Sequence, residues 1–519
     1  MAFGLLFAFS GTLRSTSAQE VRFVDKAQPN DSGDGLTWQT AHRYLQTALA
    51  AATAGDQIWI REGVHYPTEG LSGVVHPRAA SFQMKADIAI YGGFVGSEGT
   101  ADQRPEDTLA NPTILSGDID NNDINSDGNF VSETIDQHQG TNSDHVVRGV
   151  TRAILDRVTL TGGSAVSAGG GLYNLNAAPI VSHCRFLGNH ARKGGAIANL
   201  SNSSPVFRDC LFENNGATTD GGAVHNGQFS SVTFSGCLFT ANHANQGGAL
   251  FQDEDSETYL SQCEITECQA TLRGGAISVA IYRSLFISES TFEGNRVGPS
   301  VGGAGGSGGA IYSIGCLEVV NTTFDNCEAP QGNGGAVRSG GVCSFSRCRF
   351  RGNVAEIGGA MDGGGSVANC HFSGNFANAK GGAIHNPGTV HNSTIVGNRT
   401  NNFGSALFIG FESVITNTAM GIIAINAPQL LMMPGGVGYT VGAVFFFRAL
   451  WLGTQGIKLK QYQRGLHVLP AYEINPGDIK KDKEKLFLGK GFEWRAEHTQ
   501  RRADLDRPEY SHLHRVGVV

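Results

Sequence analysis

One acidic stretch holds the side chains best suited to bind a metal ion. From Asp123 it reads Asp-x-Asn-x-Asp-Gly, the first half of a calcium-binding loop. Asp123, Asn125 and Asp127 offer side-chain oxygens and Asn129 offers its carbonyl oxygen, which are the hard ligands that calcium prefers. The acid that should close the loop at its twelfth position comes one residue early, at Glu133. The stretch predicts a calcium site, with a solvated polar loop as the alternative.

Catalytic groups are harder to find. Enzymes that hydrolyse sugar polymers use paired carboxylates, and here Asp209, Asp325 and Asp362 occupy different positions of the repeat described below. His225 and His385 both follow a Gly-Gly-Ala word but lie far apart in the chain, so we interpret them as polar turn residues without a catalytic role. The asparagines that follow the same word are interpreted as turn residues as well: Asn174, Asn199, Asn226 and Asn386. The sequence therefore favours a protein without catalysis.

The elements that must position these residues come from a repeat. A Gly-Gly-small-apolar word returns ten times at intervals of 23 to 34 residues, with first residues Gly169, Gly194, Gly221, Gly247, Gly274, Gly308, Gly334, Gly358, Gly381 and Gly404. A second word, Phe-x-x-Asn, stands between the copies, as in Phe186–Asn189 and Phe350–Asn353. Short alternating runs punctuated by Gly and Asn predict strands and turns, and this period is typical of one coil of a parallel β-helix.

The words also predict which side chains face inward. We expect the recurring Phe to stack inside the coils, and the Asn after it to take a left-handed turn and bond to the Asn of the next coil. Six cysteines stand two residues before the apolar residue of the second word, and alternation places them on the same inward face: Cys184, Cys210, Cys237, Cys263, Cys348 and Cys370. A ladder of small buried side chains is favoured over a metal site or disulfides, because paired Cys-x-x-Cys ligands are missing.

A cap precedes the repeats. Residues 36–52 are amphipathic at helical spacing, with Leu45, Ala48 and Leu49 on one face. The run from Gly55 to Ile60 then predicts a strand. A helix that covers the open end of the first coil is what a structure with exposed strand edges needs.

The amino-acid composition narrows the fold class and the kinds of partner further. Glycine is abundant at 72 of 519 residues, charged residues make up only 16%, and the net charge is −8. Because glycine is a poor helix former, these values favour a β-rich protein with many tight turns. The negative charge argues against a nucleic-acid partner, and a nucleotide is not indicated because no Gly-x-x-x-x-Gly-Lys-Ser/Thr loop is present.

The two ends differ from the middle. Residues 1–18 contain an apolar run and a small-residue cleavage site, which predicts a signal peptide, although a charged start is missing. A truncated start and a buried strand are the alternatives. Residues 413–447 carry no charged side chain, and 435–452 are just long enough for a transmembrane helix, with a buried core helix as the alternative. From residue 458 onward 13 Lys/Arg stand against 9 Asp/Glu, so the tail is basic and predicted to be cytoplasmic.

The repeat resembles a known family. The alternation of Gly-Gly-Ala-Ile/Leu/Val with Phe-x-x-Asn over about 20–412 resembles the chlamydial polymorphic outer-membrane proteins, which are β-helical adhesins. The start of the chain resembles secreted right-handed β-helix proteins of the pectate-lyase-like superfamily. A C-terminal β-barrel signature, which the adhesins have, is missing here. Residues 438–519 resemble the N-terminal membrane segment of TraD-type conjugative coupling proteins, although the chain stops before any ATPase domain.

These observations predict an all-β solenoid, a right-handed parallel β-helix with an N-terminal capping helix, a C-terminal transmembrane helix and a basic tail. The expected segments are 1–18 signal peptide, 19–150 cap and first coils, 151–412 repeats, 413–456 membrane segment and 457–519 tail. The expected function is adhesion or binding by a secreted or surface-exposed β-helix, with a cell-surface or carbohydrate ligand. The alternatives are a polysaccharide lyase or hydrolase, and a non-integrated fusion with a truncated coupling protein. Calcium is the only cofactor candidate.

Overall fold

The computed structural model describes residues 19–408, apart from 74, 106–109, 281–283, 299–305 and 403, and also residues 467–469 and 472–473. The chain forms two compact units, residues 1–238 and 239–519. The predicted signal peptide at 1–18, the membrane segment at 435–452 and most of the tail lie outside the described residues. Among the residues that the structure does describe, no helix has both the length and the apolar character needed to cross a membrane.

From Val147 onward each coil consists of four strands, whereas the earlier coils lack a strand in the fourth sheet. In the coil that starts at Gly169 they are Leu172–Leu175, Ile180–Ser182, Arg185–Leu187 and His190–Lys193, which belong to sheets that we number 1 to 4 in this order. Each strand pairs in parallel with its counterpart one repeat later; Phe186, for example, is in register with Phe212. Both units are built on this plan, so the predicted all-β parallel solenoid is confirmed.

The first unit contains these strands. Sheet 1 holds Phe82–Gln83, Val147–Arg148, Leu172–Leu175, Ile197–Leu200 and Val224–Asn226. Sheet 2 holds Val21–Val24, Gln57–Arg61, Ala89–Phe94, Ile154–Asp156, Ile180–Ser182, Val206–Arg208 and Ser231–Ser235. Sheet 3 holds Gly63–His65, Thr113–Ser116, Thr159–Thr161, Arg185–Leu187 and Leu211–Glu213, and sheet 4 holds Ser164–Ala168, His190–Lys193 and Gly216–Asp220. Single turns of 3₁₀ helix lie at Pro77–Ala79, Ala101–Gln103 and Ile135–Gln137.

The second unit repeats the plan, and strand Leu238–Thr240 spans the division in the chain. Sheet 1 holds Leu250–Gln252, Ile277–Val279, Ile311–Ser313, Val337–Ser339, Met361–Asp362, Ile384–His385 and Leu407–Phe408. Sheet 2 holds Glu257–Ser261, Ser284–Ser288, Cys316–Val320, Cys343–Ser346, Ser366–Ala368 and Thr389–His391. Sheet 3 holds Glu264–Thr266, Thr291–Glu293, Thr323–Asp325, Arg349–Arg351, His371–Ser373 and Thr394–Val396. Sheet 4 holds His243–Gln246, Gln269–Arg273, Arg296–Val297, Glu328–Asn333, Val354–Ile357, Phe376–Lys380 and Arg399–Thr400, and an antiparallel pair, His467–Leu469 and Tyr472–Glu473, lies in the tail.

The core is a set of stacked like residues. Phe350 stacks on Phe324 at 4.8 Å and on Phe372 at 4.5 Å between ring centroids, nearly parallel in both cases. Stacked rings at this spacing add to the burial of their apolar area. The six aligned cysteines are buried free thiols, as predicted: Cys184, Cys210, Cys237, Cys263, Cys348 and Cys370.

Asparagine forms a second internal ladder. The Asn353 side-chain amide donates to Asn375 Oδ1 at 2.9 Å, and the Asn375 amide donates to Asn398 Oδ1 at 2.8 Å. The predicted bond between successive coils is therefore confirmed, but the predicted left-handed turn lies one residue earlier, for example at Gly352 with φ +65°. The turn at the preceding residue directs the amide inward, where it satisfies buried backbone carbonyls such as that of Phe324.

The Gly-Gly bend between sheets 4 and 1 has a steric cause. Gly334 has a φ of +70°, which favours glycine. A methyl group on Gly335 would lie 2.0 Å from the carbonyl oxygen of Gly359 in the next coil. The bend therefore needs two glycines for two different reasons, one conformational and one because the coils approach so closely.

The cap agrees with the prediction only in part. The helix covers Leu45–Ala51 instead of 36–52, and it buries Leu45, Ala48 and Leu49 as expected. The preceding segment is held in turns, because Asp31 Oδ1 accepts a hydrogen bond from the backbone N–H of Arg43 at 2.7 Å. An unpredicted strand, Val21–Val24, pairs with the predicted one, which is observed at Gln57–Arg61.

Two turn assignments were wrong. His225 and His385 lie in strands of sheet 1. Asn174 and Asn199 are fully buried in the same sheet, and the Asn174 amide donates to Asn199 Oδ1 at 2.8 Å. In these coils the residues after the Gly-Gly-Ala word therefore continue a strand, because the bend is already complete at the glycines. The turn prediction holds for Asn386, which follows the strand Ile384–His385 and has a left-handed φ of +49°.

Buried histidines predict a loss of stability in acid. His65 is fully buried, and burial lowers its pKa to about 4, whereas an unfolded histidine titrates near 6.5. The neutral ring favours folding above about pH 6.5, and this contribution is lost as the pH falls from about 6.5 towards 4, on the order of 3 kcal/mol. We expect the unfolding midpoint in urea to drop less between pH 7 and pH 4.5 in His65→Leu than in the native protein. Substitution of exposed His76 by leucine should leave the pH dependence of the midpoint unchanged. An equal drop in midpoint for the native protein and both variants would contradict the assignment of the acid sensitivity to His65.

Candidate binding site

A cleft of about 320 Å³ opens on the outer face of sheet 3 in the first unit. One wall is the sheet and the other is the segment 117–142, which we call the roof loop. The lining residues are Pro112, Ile114, Asn129, Val131, Glu133, Thr159, Arg185, Leu187, Glu213 and Asn214. The cleft thus combines one cation, two carboxylates and two amides with an apolar floor.

The apolar floor is formed where the roof loop reaches down to the sheet. Val131 of the loop packs against Ile114 and Leu187, and Val64 and Leu211 pack around this cluster. Burial of such side chains stabilises the contact by roughly 1.5 to 3 kcal/mol for each one that is fully removed from water. The outward face of sheet 3 is therefore partly shielded from water at this point.

Hydrogen bonds fix the loop beside this cluster. The backbone N–H of Ser132 donates to Thr161 Oγ1 at 3.0 Å, and the Thr161 hydroxyl donates back to the Ser132 carbonyl at 3.1 Å. Gly188 leaves room for the loop, because a methyl group there would lie 1.9 Å from the Ser132 carbonyl oxygen. The wall of the cleft is thus held by both packing and directed bonds.

Charge in the cleft centres on Arg185. Its side chain faces outward beside Leu187, because Phe186 between them points into the core. Burial lowers the pKa of Arg185, and the nearby Glu213 carboxylate acts in the opposite direction. Glu133 of the loop accepts a hydrogen bond from the Asn129 amide at 2.6 Å. A partly desolvated guanidinium beside hydrogen-bonding groups can bind a carboxylate or hydroxyls of a ligand.

The predicted calcium ligands all lie in the roof loop, but their hydrogen bonds do not bring the four residues together around one point. Asp123 accepts hydrogen bonds from the Ser132 hydroxyl at 2.7 Å, the Asn142 amide at 2.8 Å and the Gln139 backbone N–H at 2.6 Å. It therefore anchors the base of the loop.

The other candidate ligands organise the tip. The Asn129 amide donates to Asp127 Oδ2 at 2.7 Å, and Asn125 Oδ1 accepts from the backbone N–H of Phe130 at 3.1 Å. In the described part of the chain, no group of three or more His, Cys, Asp or Glu side chains is placed to hold a metal ion. The calcium site at Asp123, Asn125, Asp127 and Asn129 stays a prediction, and binding would require Asp123 to exchange its donors for the cation.

A second polar cluster in the first unit was not predicted. Asp156 is buried, with its carboxylate 2.9 Å from Arg104 Nη1 and 2.9 Å from His183 Nδ1, and it also accepts a bond from the Ser182 hydroxyl at 2.8 Å. Arg104 also donates to the backbone carbonyl of Gly92 at 3.0 Å. The cluster neutralises a buried carboxylate and ties the segment before residue 105 to sheet 2, which is a structural role.

Sequence reasoning missed Arg185, Glu213 and Asp156. The first two stand next to the inward Phe of the second word, at positions whose side chains must face out. The alternation of inward and outward residues along a strand therefore predicts that the side chains of Arg185 and Glu213 face outward. The position of the roof loop over them was not predictable, because the bonds that fix it join residues distant in the chain, such as Ser132 and Thr161, which are 29 residues apart.

Comparisons with known proteins agree with this architecture. Residues 115–265 match the family model for a right-handed beta helix region. Residues 289–314 and 369–387 match the model for the Chlamydia polymorphic membrane protein repeat. No curated protein matches the chain.

A solved structure, the crystal structure of pectate lyase Pel9A, is similar at 12% identity and a TM-score of 0.30, covering 73% of this chain and 78% of the lyase. That likeness is too weak to support an argument about activity. The matched family segments lie within 115–387, so the resemblance of residues 438–519 to coupling proteins has no support from them. The chain is thus a parallel β-helix protein, and segments of it are similar to the right-handed beta helix region and to the Chlamydia polymorphic membrane protein repeat.

Proposed function

We propose that this protein is a surface-exposed or secreted β-helix that binds a ligand on another cell, and that it does not act as an enzyme. The Chlamydia polymorphic membrane protein repeats support a surface role, because the repeat is named for a membrane protein family. The observation that carries the binding role is the cleft beneath the roof loop, where Arg185 is half-buried beside Glu213 over an apolar floor.

The cleft suits a ligand with both polar and apolar faces. Arg185 supplies a guanidinium, Asn214 an amide and Glu213 a carboxylate, while Ile114 and Leu187 supply apolar contact. A sugar residue of a cell-surface glycan has this mixed character, with hydroxyls at its edge and carbon–hydrogen groups on its faces. Sites of this kind bind by a few placed polar groups over an apolar surface.

The alternative function is cleavage of a polysaccharide. It would require an acid and a base placed on either side of one sugar linkage. In the cleft, Glu133 is held by the Asn129 amide and Glu213 faces the charge of Arg185. Both carboxylates therefore already interact with other groups of the cleft, Glu133 with its wall and Glu213 with the cation. This arrangement favours ligand binding over catalysis.

Anchoring is part of this proposal. We place the membrane crossing at 435–452, with the β-helix outside and the basic tail 457–519 in the cytoplasm. The basic residues that follow the apolar segment favour this orientation. A signal at 1–18 would direct the β-helix to the outside.

We expect bacteria that express the full chain to adhere to cultured epithelial cells, and Arg185→Gln to lower adhesion about tenfold, which corresponds to about 1.4 kcal/mol of binding free energy. The matched control is Arg208→Gln, which removes an exposed guanidinium from sheet 2. An antibody against the β-helix should stain intact cells at equal levels for all three proteins. Equal adhesion of the Arg185 variant, or release of reducing or unsaturated ends from uronate polymers by the purified protein, would contradict the proposal.

Calcium binding is tested separately. If the roof loop binds the ion, calcium should raise the unfolding temperature of the purified protein and a chelator should reverse the change, because a ligand that binds only the folded state stabilises it. Asp123→Asn should abolish the calcium effect, whereas Asp136→Asn, which changes an exposed acid of the same loop, should retain it. If calcium does not shift the unfolding temperature of the native protein, the calcium-site prediction is wrong and Asp123 acts only as an anchor of the loop.

A further inference from the structure

The second unit carries a column of outward side chains that the repeat itself singles out. The Gly-Gly-small-apolar word fixes four positions of each coil, and the next residue alternates with the inward apolar residue, so it lies on the outer side of sheet 1. Earlier coils bury this residue, as at Ala198, His225 and Ser278, whereas Tyr312, Arg338, His385 and Phe408 are partly exposed. Because the strands are in register, these residues stack from coil to coil. In the last five coils they are Tyr312, Arg338, Asp362, His385 and Phe408, which we call the stripe.

The centre of the stripe is a fixed polar group. Asp362 is only 4% exposed, and its two carboxylate oxygens lie 3.1 Å from Arg338 Nε and 2.6 Å from His385 Nδ1. Arg338 Nη1 also donates to the backbone carbonyl of Ser339 at 2.7 Å. The single acid of the stripe is therefore occupied on both sides, and it orients the guanidinium and the imidazole without adding a free negative charge to the surface.

Both ends of the stripe combine an aromatic ring with a cation from sheet 4. The Arg273 guanidinium lies 5.0 Å from the Tyr312 ring centroid, and Lys380 Nζ lies 5.1 Å from that of Phe408. Phe408 also stacks on His385 at 5.4 Å. Within the described part of the chain neither Arg273 nor Lys380 makes an ion pair with a carboxylate, so their charges remain available to a partner.

The charge of this surface is opposite to that of the protein. The chain has a net charge of −8, yet the stripe and its two flanking cations hold Arg273, Arg338 and Lys380 against Asp362 alone. Four coil steps of about 4.8 Å place the two aromatic ends about 19 Å apart. An extended ligand with regularly spaced rings and negative charges matches this arrangement better than a compact anion.

We infer that the stripe binds a linear acidic polysaccharide, with sugar faces on Tyr312 and Phe408 and carboxylates or sulfates at Arg273, Arg338 and Lys380. A single-stranded nucleic acid also has rings and charges, but its phosphate at every unit would face the strong repulsion of a net negative chain. The sparser charge of a uronate polymer is the better match. This site is additional to the cleft beneath the roof loop, so either can fail without the other.

The test measures binding of the full chain to a hyaluronan oligosaccharide by calorimetry, with a neutral cello-oligosaccharide and oligo(dT) as comparison ligands. We expect hyaluronan to bind in preference to both, and added salt to weaken it. The double variant Arg273→Gln/Lys380→Gln should raise the Kd about tenfold, and Tyr312→Ala should also weaken binding. Arg349→Gln/Arg399→Gln is the matched control, because it removes two exposed cations from sheets 3 and 4 and changes the net charge equally.

Less than a twofold change in Kd for that control is the expected result, since its cations lie off the stripe. Equal weakening by both double variants would show that binding follows net charge alone and would overturn the inference. Absence of hyaluronan binding, equal binding of the neutral sugar, or tighter binding of oligo(dT) would overturn it as well. Adhesion through Arg185 would be unaffected by any of these outcomes.

Discussion

The in-register stacking of one coil on the next is the constraint on which the rest of the structure depends. A strand of a coil leaves its backbone N–H and C=O groups facing its neighbours, and a buried group without a partner is costly. Parallel pairing satisfies these groups only if equivalent residues lie side by side, as Val337 does with Ile311 and with Met361. Like residues are therefore brought onto like residues, and the interior becomes a set of ladders. The repeated words of the sequence record this requirement.

The same register has a different consequence outside. Outward residues also form columns, but no packing rule fixes their identity, so each column can acquire its own chemistry. In the first unit the roof loop lies over the outward face of sheet 3, and the two form a cleft around Arg185. In the second unit the outward face of sheet 1 carries Arg338, Asp362 and His385 in contact. An interior that repeats from coil to coil and an exterior that differs between coils allow one scaffold to hold separate sites.

The sequence predicted the interior far better than the sites. The cysteine and phenylalanine ladders followed from alternation alone, because two-residue spacing on a strand places side chains on one face. The helix was predicted too long, since Asp31 holds the preceding segment in turns through a bond that composition does not reveal.

The sites depended on contacts between residues that are distant in the chain. The sequence pattern around His385 indicates a turn residue without a catalytic role, whereas the register of the strands places its ring beside Asp362, 23 residues earlier. The calcium motif was recognised from its spacing, but the loop uses Asp123 to bind Ser132, Asn142 and Gln139. A local motif shows which ligands a loop offers, whereas the fold determines the partners that compete for them.

The central claim, that close stacking of the coils dictates the repeated word, is tested most directly by two glycines of the second unit. A methyl group on Gly335 would lie 2.0 Å from the Gly359 carbonyl oxygen, whereas one on Gly364 meets nothing within 4 Å. Urea denaturation of the full chain should show Gly335→Ala to be destabilised by roughly 1 to 3 kcal/mol, as at other overpacked sites. Gly364→Ala should stay within about 0.5 kcal/mol of the native protein. Equal stability of the two variants would contradict the account, because the Gly-Gly word would then have a cause other than the contact between coils.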